Sequence, residues 1–417
     1  MVKNFTQNTS TITFHIPEGI DPDIFKGNGE RPARLLYVAH LLTTMSMNDR
    51  GFIAINKHRL RRLISKDAAT TSMKILMPFI EIDHTYKVSK HSKGYRWLLP
   101  HREAPSKEVT FKCPKFIQRL KRLQTTQRNE YTKIEAGVDS DMNRISLGID
   151  DLEQFIIALP DKAGVISQQH RRNCILNTGK QIQARDFGVV RTSAKTGRLH
   201  CLINRTSSAM RSHLLINGEA VTELDLASSQ PYFLTTLFPQ KALTEAVKKG
   251  EFYLRVNEQL PKPYEMNNPC QYTILKQSVL AALYARPKYG YNYISDPSNK
   301  SAIILEAMDK AYGGIKDFVT NYSRQNGANS LAVALQKAES GVVVDTILKK
   351  LQHSSIPSVT IHDAILCQNR HIDFVKSLMS EELSKTTGIE PLIRKKTESK
   401  TGEGRERNRH TPYVGHF

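Results

Sequence analysis

The spacing of apolar and polar residues changes within one short stretch, Ala220–Leu234. It begins as a β-branched, alternating run that contains Val221 and Leu224. This pattern predicts a strand, because successive side chains of a strand point to opposite faces. The run ends at the carboxylate Asp225, small and polar residues follow, and the apolar stretch after Pro231 predicts a helix. Such a segment presents a carboxylate at the end of a buried sheet, although a lone acid in this position also serves as a helix cap.

A second carboxylate lies between two short apolar runs in Ser358–Cys367, which reads Ser-Val-Thr-Ile-His-Asp-Ala-Ile-Leu-Cys. The pattern predicts a β-hairpin with Asp363 at its turn, beside another strand of the same sheet. Two strand-end carboxylates, Asp225 and Asp363, repel one another unless a cation lies between them. Mg²⁺ accepts carboxylate oxygens and keeps positions for substrate phosphates, so the pair predicts a magnesium site. The His-Asp dipeptide by itself is weak support, because it is common.

Between these two carboxylates along the chain, Tyr272–Tyr284 predicts a helix. Lys276, Leu280 and Tyr284 are spaced four residues apart and therefore share one helix face. A cation at one end of the face and a ring at the other could hold a nucleoside triphosphate, with Lys276 on the phosphates and Tyr284 beneath the base or sugar. The alternative is a core helix whose lysine extends along apolar surface to solvent.

The segment 31–100 predicts a small unit of three helices and a hairpin with a basic tip. The predicted elements are helices at 34–46, 57–65 and 68–79, a strand at 52–55, and a hairpin around Lys90–Gly94. This order is typical of a winged helix-turn-helix, which presents its third helix or its wing to a duplex. A helical packing module without nucleic-acid contact is the alternative.

The other segments are assigned from their composition. Residues 1–30 are polar and are expected to form a flexible lead-in, and residues 101–195 a basic, helical, connecting or thumb-like region. Residues 196–393 contain both carboxylates and are expected to form the core of the protein. Residues 394–417 are charged and nearly devoid of apolar side chains, which predicts a mobile tail.

Charge favours a polyanionic partner. The 417 residues include 60 Lys+Arg against 40 Asp+Glu, a net charge of +20 that favours nucleic acid over the alternative of a merely soluble basic protein. No apolar run is long enough to cross a bilayer, and the five scattered cysteines form no Cys-x-x-Cys pair, so we expect no membrane partner and a reducing, cytoplasmic location. The basic runs of 101–190, interpreted here as an ordinary solvated helix face, include Lys115, Arg119, Lys121 and Arg122.

Taken in order, the three segments and Thr196–Leu199 (Thr-Gly-Arg-Leu) resemble the palm and fingers motifs that family A DNA polymerases share with phage-type single-subunit RNA polymerases. The resemblance covers about residues 190–393. It implies that Asp225 and Asp363 are the two metal-binding aspartates. It also implies that Lys276 binds the triphosphate and can protonate pyrophosphate, and that Tyr284 lies at the nucleotide pocket.

The same resemblance implies contacts with nucleic acid. The arginine that contacts the primer-terminal pair falls on Arg198, and Arg211 and His362 belong to the same set of motifs. The stretch 335–345 occupies the place of a palm helix, where Gln336 and Glu339 are candidates to touch substrate.

Several residues differ from those that the family usually has at the matching positions. Tyr272 stands where the family usually has an arginine, so a phosphate contact is missing or comes from Arg286 or Lys288. Ala285 replaces an expected glycine, and Ala364 replaces the glutamate of a His-Asp-Glu triplet.

The motifs favour deoxynucleotides and ribonucleotides almost equally as substrates. Gln230 occupies the position of a glutamate that excludes a 2′-hydroxyl in the DNA enzymes, and its bulk and the Thr-Gly-Arg segment favour DNA synthesis. Leu280, where the DNA enzymes have an aromatic residue, is closer to the RNA enzymes.

We therefore expect an α+β fold in which a right-hand palm and fingers core follows a small winged-helix-like domain. The expected activity is template-directed nucleotidyl transfer with two Mg²⁺ ions, a DNA template and nucleoside triphosphates. A compact DNA polymerase is favoured, of a kind suited to a mobile element. Only about 190 residues precede the core and no second acidic cluster is seen, so no proofreading activity is expected.

Three alternatives stay open. The first is an RNA polymerase or primase. The second is a non-catalytic, winged-helix DNA-binding protein with a degenerate polymerase-like core. The third is a two-metal nuclease or transposase, which requires another acidic ligand near Asp225 or Asp363. Glu223 is a poor candidate for that ligand, because it is expected to share the face of Asp225 only at the edge.

Overall fold

The computed structural model describes residues 10–48, 50–83, 93–162, 166–284, 300–327 and 329–396. None of the helices in these ranges is both long enough and apolar enough to span a membrane.

Helices and antiparallel strands alternate irregularly along the chain. The helices are α1 Arg31–Thr44, α2 Lys57–Ile64, α3 Lys66–Leu76, α4 Pro114–Arg128, α5 Lys133–Met142, α6 Leu152–Ile157, α7 Gln168–Gln183, α8 Leu202–Arg205, α9 Ser208–Arg211, α10 Ser229–Leu237, α11 Lys241–Lys248, α12 Phe252–Glu258, α13 Pro269–Leu283, α14 Lys300–Tyr312, α15 Ile315–Asn326, α16 Ser330–Val342, α17 Lys349–His353 and α18 Ile372–Thr387. The strands are β1 Thr11–Pro17, β2 Ile53–Ala54, β3 Ile80–Ile82, β4 Gly94–Trp97, β5 Ser106–Lys112, β6 Ile145–Leu147, β7 Arg191–Thr192, β8 Leu199–His200, β9 Leu214–Ile216, β10 Glu219–Leu226, β11 Ser358–Ile361, β12 Ala364–Gln368 and β13 Ile393–Lys396. The expected mixture of helices and antiparallel strands is confirmed.

The chain divides into two compact units. The first contains the described residues up to Glu130 together with Ile149–Ala184, and the second contains Tyr131–Gly148 and the described residues from Arg185 onward. The expected connecting region 101–195 is therefore not a module of its own. Its strand β5 and helices α4, α6 and α7 belong to the first unit, whereas α5, β6 and β7 belong to the second.

The first unit begins with a strand where a flexible lead-in was expected. β1 pairs with β5 along its whole length, from Thr11 opposite Lys112 to Pro17 opposite Ser106. Phe14 is almost fully buried in the core of this unit. The lead-in prediction is wrong for these residues, because the Thr-Ile-Thr-Phe-His-Ile alternation outweighs their polar composition.

The rest of the first unit contains three helices and a short strand in the order predicted for 31–100, whereas β3 at Ile80–Ile82, which pairs with β4, was not predicted. Helices α1, α2 and α3 accompany a three-stranded sheet of order β2–β4–β3, and Trp97 of β4 is 1% exposed. Ser65 separates α2 from α3 with a left-handed φ of 82°, and its hydroxyl caps α3 by accepting the N–H of Ala68. The basic tip at Lys90–Gly94 lies largely outside the described residues.

The second unit is built on a sheet of order β11–β12–β10–β9–β6, with β13 also paired to β10. The β9–β10 connection is the two-residue turn Asn217-Gly218, in which both residues have positive φ (52° and 81°). This is the combination that a tight hairpin requires. One face of β10 presents Leu224 and Leu226 to a core that includes Phe233 of α10, and burial of each such side chain stabilises the unit by about 1.5–3 kcal/mol.

Strand β13 lies where the mobile tail was expected to begin. Arg394 and Lys396 pair with Asp225 and Glu223 of β10, so the tail assignment is wrong for Arg394–Lys396. The charges of this segment misled the prediction, because acidic residues on the neighbouring strand accommodate them. Residues from 397 onward lie outside the described residues.

Candidate active site

Asp225 and Asp363 lie at the ends of neighbouring strands. In the register of β10 and β12, Asp225 is directly opposite Ala364, the residue that follows Asp363. The backbone N–H of Leu226 donates to the carbonyl of Asp363 at 3.4 Å. Both carboxylates are largely buried, at 6% and 8% exposure. The two segments that the sequence singled out separately thus meet at one edge of the sheet.

The predicted hairpin is present, and its turn is very short. Ile361 pairs with Ala364, so His362 and Asp363 alone connect β11 to β12. His362 adopts a left-handed φ of 59°, a conformation that is uncommon for residues other than glycine. Burial lowers the pKa of His362 to about 4, and the nearby Arg198 adds to this effect. The imidazole is therefore neutral at neutral pH.

The face of β10 opposite to Leu224 and Leu226 carries charged side chains. Glu223 and Asp225 alternate with Leu224 and Leu226, so the period of two puts both acids on the same face. Lys396 pairs with Glu223, and its Nζ is 3.9 Å from Oδ1 of Asp225. The expectation that Glu223 only reaches the edge of this face is therefore wrong.

Arg211 is engaged in the same cluster. Its Nε donates to Oε2 of Glu223 at 3.0 Å and its Nη1 donates to the carbonyl of Thr206 at 2.6 Å. Burial alone would raise the pKa of Glu223, but Arg211 and Lys396 hold that pKa below its usual range. Glu223 is thus an ionised partner of two cations, and the predicted contact of Arg211 with nucleic acid stays a prediction.

The carboxylate pair is chemically suited to magnesium. Mg²⁺ is commonly bound through one or two carboxylates, with water and substrate phosphates as its other ligands. Asp225 and Asp363 supply such a set. Across the described ranges, no group of three or more His, Cys, Asp and Glu side chains is placed to hold a metal ion.

A buried hydrogen-bond network surrounds Glu339 of α16. This side chain is 1% exposed, and its two oxygens face Nε and Nη2 of Arg198, each at 2.8 Å. Its Oε2 also accepts the hydroxyl of Ser229 at 3.0 Å and Nε2 of Gln230 at 2.7 Å. Burial raises the pKa of Glu339, the charge on Asp363 adds to this, and Arg198 opposes both. Glu339 is the centre of the network, although sequence reasoning gave it only a minor place.

The network extends to the predicted fingers helix through Gln230. Tyr284, which follows the last residue of α13, donates its hydroxyl to Oε1 of Gln230 at 2.7 Å. Burial raises the pKa of Tyr284 above its usual range, and the charges on Glu339 and Asp363 contribute in the same direction. Tyr284 therefore stays protonated and keeps donating this hydrogen bond.

The turn that carries Arg198 is fixed by the residue after Glu339. Ser340 donates its hydroxyl to the carbonyl of Thr196, and the intervening Gly197 has a left-handed φ of 72°. A Cβ at Gly197 would come within 2.6 Å of Oγ of Ser340. Only glycine satisfies both the backbone angle and the close approach.

Lys276 lies over two tyrosine rings. Its Nζ is 5.4 Å from the ring centroid of Tyr253 and 5.4 Å from that of Tyr272, distances typical of a cation–π interaction. Tyr272 is the residue that departs from the family pattern. An arginine there would bring a second positive charge next to Lys276, whereas the tyrosine contributes the face of its ring. Sequence reasoning missed Tyr253, because nothing in its local pattern distinguishes it from an ordinary core residue.

The remaining candidate site residues are only partly buried or lie outside the described residues. Leu280 is partly buried on α13, and Gln336 is partly buried one turn before Glu339. Arg286, Lys288 and Ala285 lie outside the described residues, so the missing phosphate contact cannot be assigned to them.

No family model matches the chain, and no curated protein matches it. Among solved structures, the chain is similar to the POL domain of Pol1 from M. smegmatis in complex with DNA primer-template and dNTP, with a TM-score of 0.38 and 12% sequence identity. The match covers 66% of this chain and 65% of that chain.

Proposed function

We propose that this protein is a template-directed nucleotidyltransferase, and specifically a DNA polymerase that uses two Mg²⁺ ions held by Asp225 and Asp363. The observation that carries the proposal is the register of β10 and β12, in which Asp225 faces Ala364 and adjoins the turn residue Asp363. Two buried carboxylates at one sheet edge favour nearby positive charge, because ionising both without it is costly. Lys396 supplies one such charge 3.9 Å from Asp225, and a bound Mg²⁺ would supply more beside both carboxylates. The order and spacing of the sequence motifs supply the rest of the support.

The proposed reaction joins the primer 3′-oxygen, whose proton passes to solvent, to the α-phosphorus of the incoming nucleotide and breaks the bond from that phosphorus to the pyrophosphate. Magnesium bound by the two aspartates would supply Lewis-acid stabilisation of the attacking and leaving oxygens. Lys276 then binds the triphosphate and gives a proton to the departing pyrophosphate. The rings of Tyr253 and Tyr272, whose centroids each lie 5.4 Å from Nζ of Lys276, restrict the position of its ammonium group.

The proposed sugar gate is the pair formed by Gln230 and Tyr284. The amide of Gln230 is held from both sides, because it donates to Glu339 and accepts from Tyr284. A side chain fixed in this way cannot move aside for a 2′-hydroxyl, which favours deoxynucleotides. A ribonucleotide polymerase or primase is the second candidate, favoured by the aliphatic Leu280 on the helix of Lys276.

We further propose that the first unit contains a winged helix-turn-helix that helps to hold the template. The order α1–β2–α2–α3–β3–β4 and the sheet order β2–β4–β3 support this assignment. The absence of proofreading and an origin in a mobile element remain predictions.

The test is nucleotide incorporation with Mg²⁺ on primed and unprimed single-stranded templates, with dNTPs and NTPs offered separately. Asp225→Asn and Asp363→Asn should each reduce incorporation about a thousandfold or more, because each removes a charged metal ligand. The matched control is Asp186→Asn, which makes the same change at an exposed loop position of the second unit and should leave the rate unchanged.

Each result of this test assigns the protein to a different functional class. Primed extension with dNTPs alone supports a DNA polymerase, and incorporation of NTPs without a primer assigns an RNA polymerase or primase. No incorporation under any condition, from a protein that binds DNA, would overturn the proposal in favour of a non-catalytic DNA-binding protein.

A further inference from the structure

The most one-sided charge distribution among the described elements of the first unit lies on two neighbouring helices. Helix α2 contains four Lys and Arg residues and α4 contains five, and neither helix contains an Asp or Glu. The two helices pack against each other. A surface that is merely solvated usually mixes both signs, because like charges on one helix repel.

The charged side chains of α4 line one side of that helix. We call this surface the α4 basic face; its residues, all exposed, are Lys115, Gln118, Arg119, Lys121, Arg122, Thr125 and Thr126. Among the described residues, none of its four cations forms an ion pair with an acidic side chain. Lys115, Arg119 and Arg122 follow the helical spacing of four and three, so their Cα atoms rise about 6 Å and then about 4.5 Å along the axis.

The opposite side of α4 is not available to a partner. Phe116 is 2% exposed in the core of the first unit, and Ile117 and Leu120 pack against the same core. A helix that inserts into a membrane needs apolar side chains beside its basic ones. Here those side chains face inward, so α4 can offer cations and polar groups but no apolar anchor.

The third helix, α3, carries much less charge. Its exposed positions include Lys66, Asp67 and Lys74, and Asp67 pairs with Arg31 at 3.1 Å. The element that a winged helix-turn-helix would be expected to present to a duplex is thus nearly balanced. The excess positive charge lies on α2 and α4 instead.

We propose that the α4 basic face binds the phosphodiester backbone of nucleic acid without reading its sequence. Its lysines and arginines neutralise phosphates, and the amide of Gln118 and the hydroxyl of Thr125 donate to phosphate oxygens. This binding does not depend on the chemistry of Asp225 and Asp363, so it is separate from the proposed polymerase activity.

The experiment compares the full-length protein with the variant Lys115→Gln/Arg119→Gln/Lys121→Gln/Arg122→Gln. Binding to a labelled 20-base-pair DNA of mixed sequence, and to the single strand of the same length, is measured from 50 to 300 mM KCl. On the duplex, the slope of log Kd against log salt should fall in magnitude by about two to four, since each lost phosphate contact removes about 0.9. Affinity at 150 mM KCl should weaken at least tenfold for several unrelated sequences alike.

The matched control removes the same charge elsewhere. Lys241→Gln/Lys249→Gln/Lys262→Gln/Lys376→Gln changes four exposed lysines of the second unit and should alter the slope by less than one. The variant Arg119→Lys/Arg122→Lys keeps both charges and should keep the slope. If the quadruple α4 variant does not fold, Arg119→Gln/Arg122→Gln should still lower the slope by about two.

Four outcomes would overturn the proposal. The first is an unchanged slope in a folded α4 variant. The second is an equal loss in the lysine control, which would assign the effect to net charge. The third is binding to vesicles containing phosphatidylserine without binding to either nucleic acid, which would assign the face to a membrane surface. The fourth is loss of DNA binding in Asp225→Asn, which would show that binding requires the catalytic site. Retained binding by an inactive Asp225→Asn supports the proposal and separates it from the proposed polymerase activity.

Discussion

The candidate active site and the α4 basic face use charge in opposite ways. Around Glu339 the charges are buried and matched, with the Arg198 guanidinium facing both carboxylate oxygens at 2.8 Å. On α4 the charges are exposed and share one sign. A buried charge must have a partner, because its transfer from water costs several kcal/mol, whereas an exposed lysine stays hydrated and needs none. The buried ion pairs around Glu339 fix the positions of their side chains. The exposed cations of α4 remain available to a partner molecule.

The contrast between buried and exposed charge should be largest in the free energy of unfolding, when one member of a buried ion pair is removed. Glu339→Gln leaves the largely buried side chain of Arg198 without its hydrogen-bonded counter-charge and should lower the free energy of unfolding by about 3–5 kcal/mol. The exposed pair of Lys248 and Glu245, with 3.6 Å between Nζ and Oε1, supplies the contrast. Glu245→Gln should change stability by less than about 0.5 kcal/mol. Urea unfolding followed by circular dichroism measures both values.

A double variant separates loss of the pair from loss of packing. Arg198→Met/Glu339→Gln removes both charges and should recover a large part of the stability lost in Glu339→Gln. Equal losses in the single and double variants would contradict the claim that an unpaired buried arginine causes the effect.

The next prediction concerns Asp141, a buried acid whose hydrogen-bond partner is neutral. It is 9% exposed and accepts the N–H of Ser358 at 3.2 Å. Burial raises the pKa of Asp141 from 3.8 to about 6, so the folded protein keeps a proton that the unfolded chain has lost between these values. Its contribution to stability is present below about pH 4 and is lost as pH rises through 6. Because one pKa unit corresponds to about 1.4 kcal/mol, the loss is on the order of 3 kcal/mol.

Asp141→Asn keeps the acceptor and removes the titration. The stability of the variant relative to the unmodified protein should therefore rise between pH 4 and pH 7, as measured by urea unfolding at each pH. A flat difference for Asp141→Asn would mean that Asp141 titrates normally.

The smallest expected effect concerns Lys276, whose charge is only partly buried. Tyr272→Leu removes one of its two rings and should weaken dNTP affinity about three- to tenfold, in keeping with a cation–π energy of about 0.5–2 kcal/mol. Tyr272→Phe keeps the ring and should bind almost normally. Equilibrium binding of a fluorescent dNTP with Mg²⁺ measures both variants, and equal weakening in the two would assign the role to the hydroxyl.

The elements of the site that depend on local sequence could be predicted. The strand ending at Asp225, the hairpin around Asp363 and the helix carrying Lys276 each follow from the pattern of one short segment. The partner of Arg198 could not be predicted in this way. Glu339 is 141 residues away, and its ion pair exists only because α16 packs beside the turn at Gly197.

The two wrong assignments share a cause. Residues 1–30 and 394–417 were judged by composition, and polar or charged composition favours disorder. β1 nevertheless forms because its alternation matches β5, and β13 forms because Glu223 and Asp225 lie on the strand beside it. Pairing across a sheet depends on the neighbouring strand, which a single segment does not reveal.

The two-residue turn between Ile361 and Ala364 limits the insertions and deletions that this chain can accept during evolution. Side chains alternate across a strand, so adding or deleting one residue in β12 would shift the register and turn every following side chain to the other face. The same slip would carry Asp363 away from its place beside Asp225. Insertions are tolerated in surface loops, where no register is at stake. Among lineages that keep the chemistry, length should therefore vary in the loops and stay fixed in this hairpin.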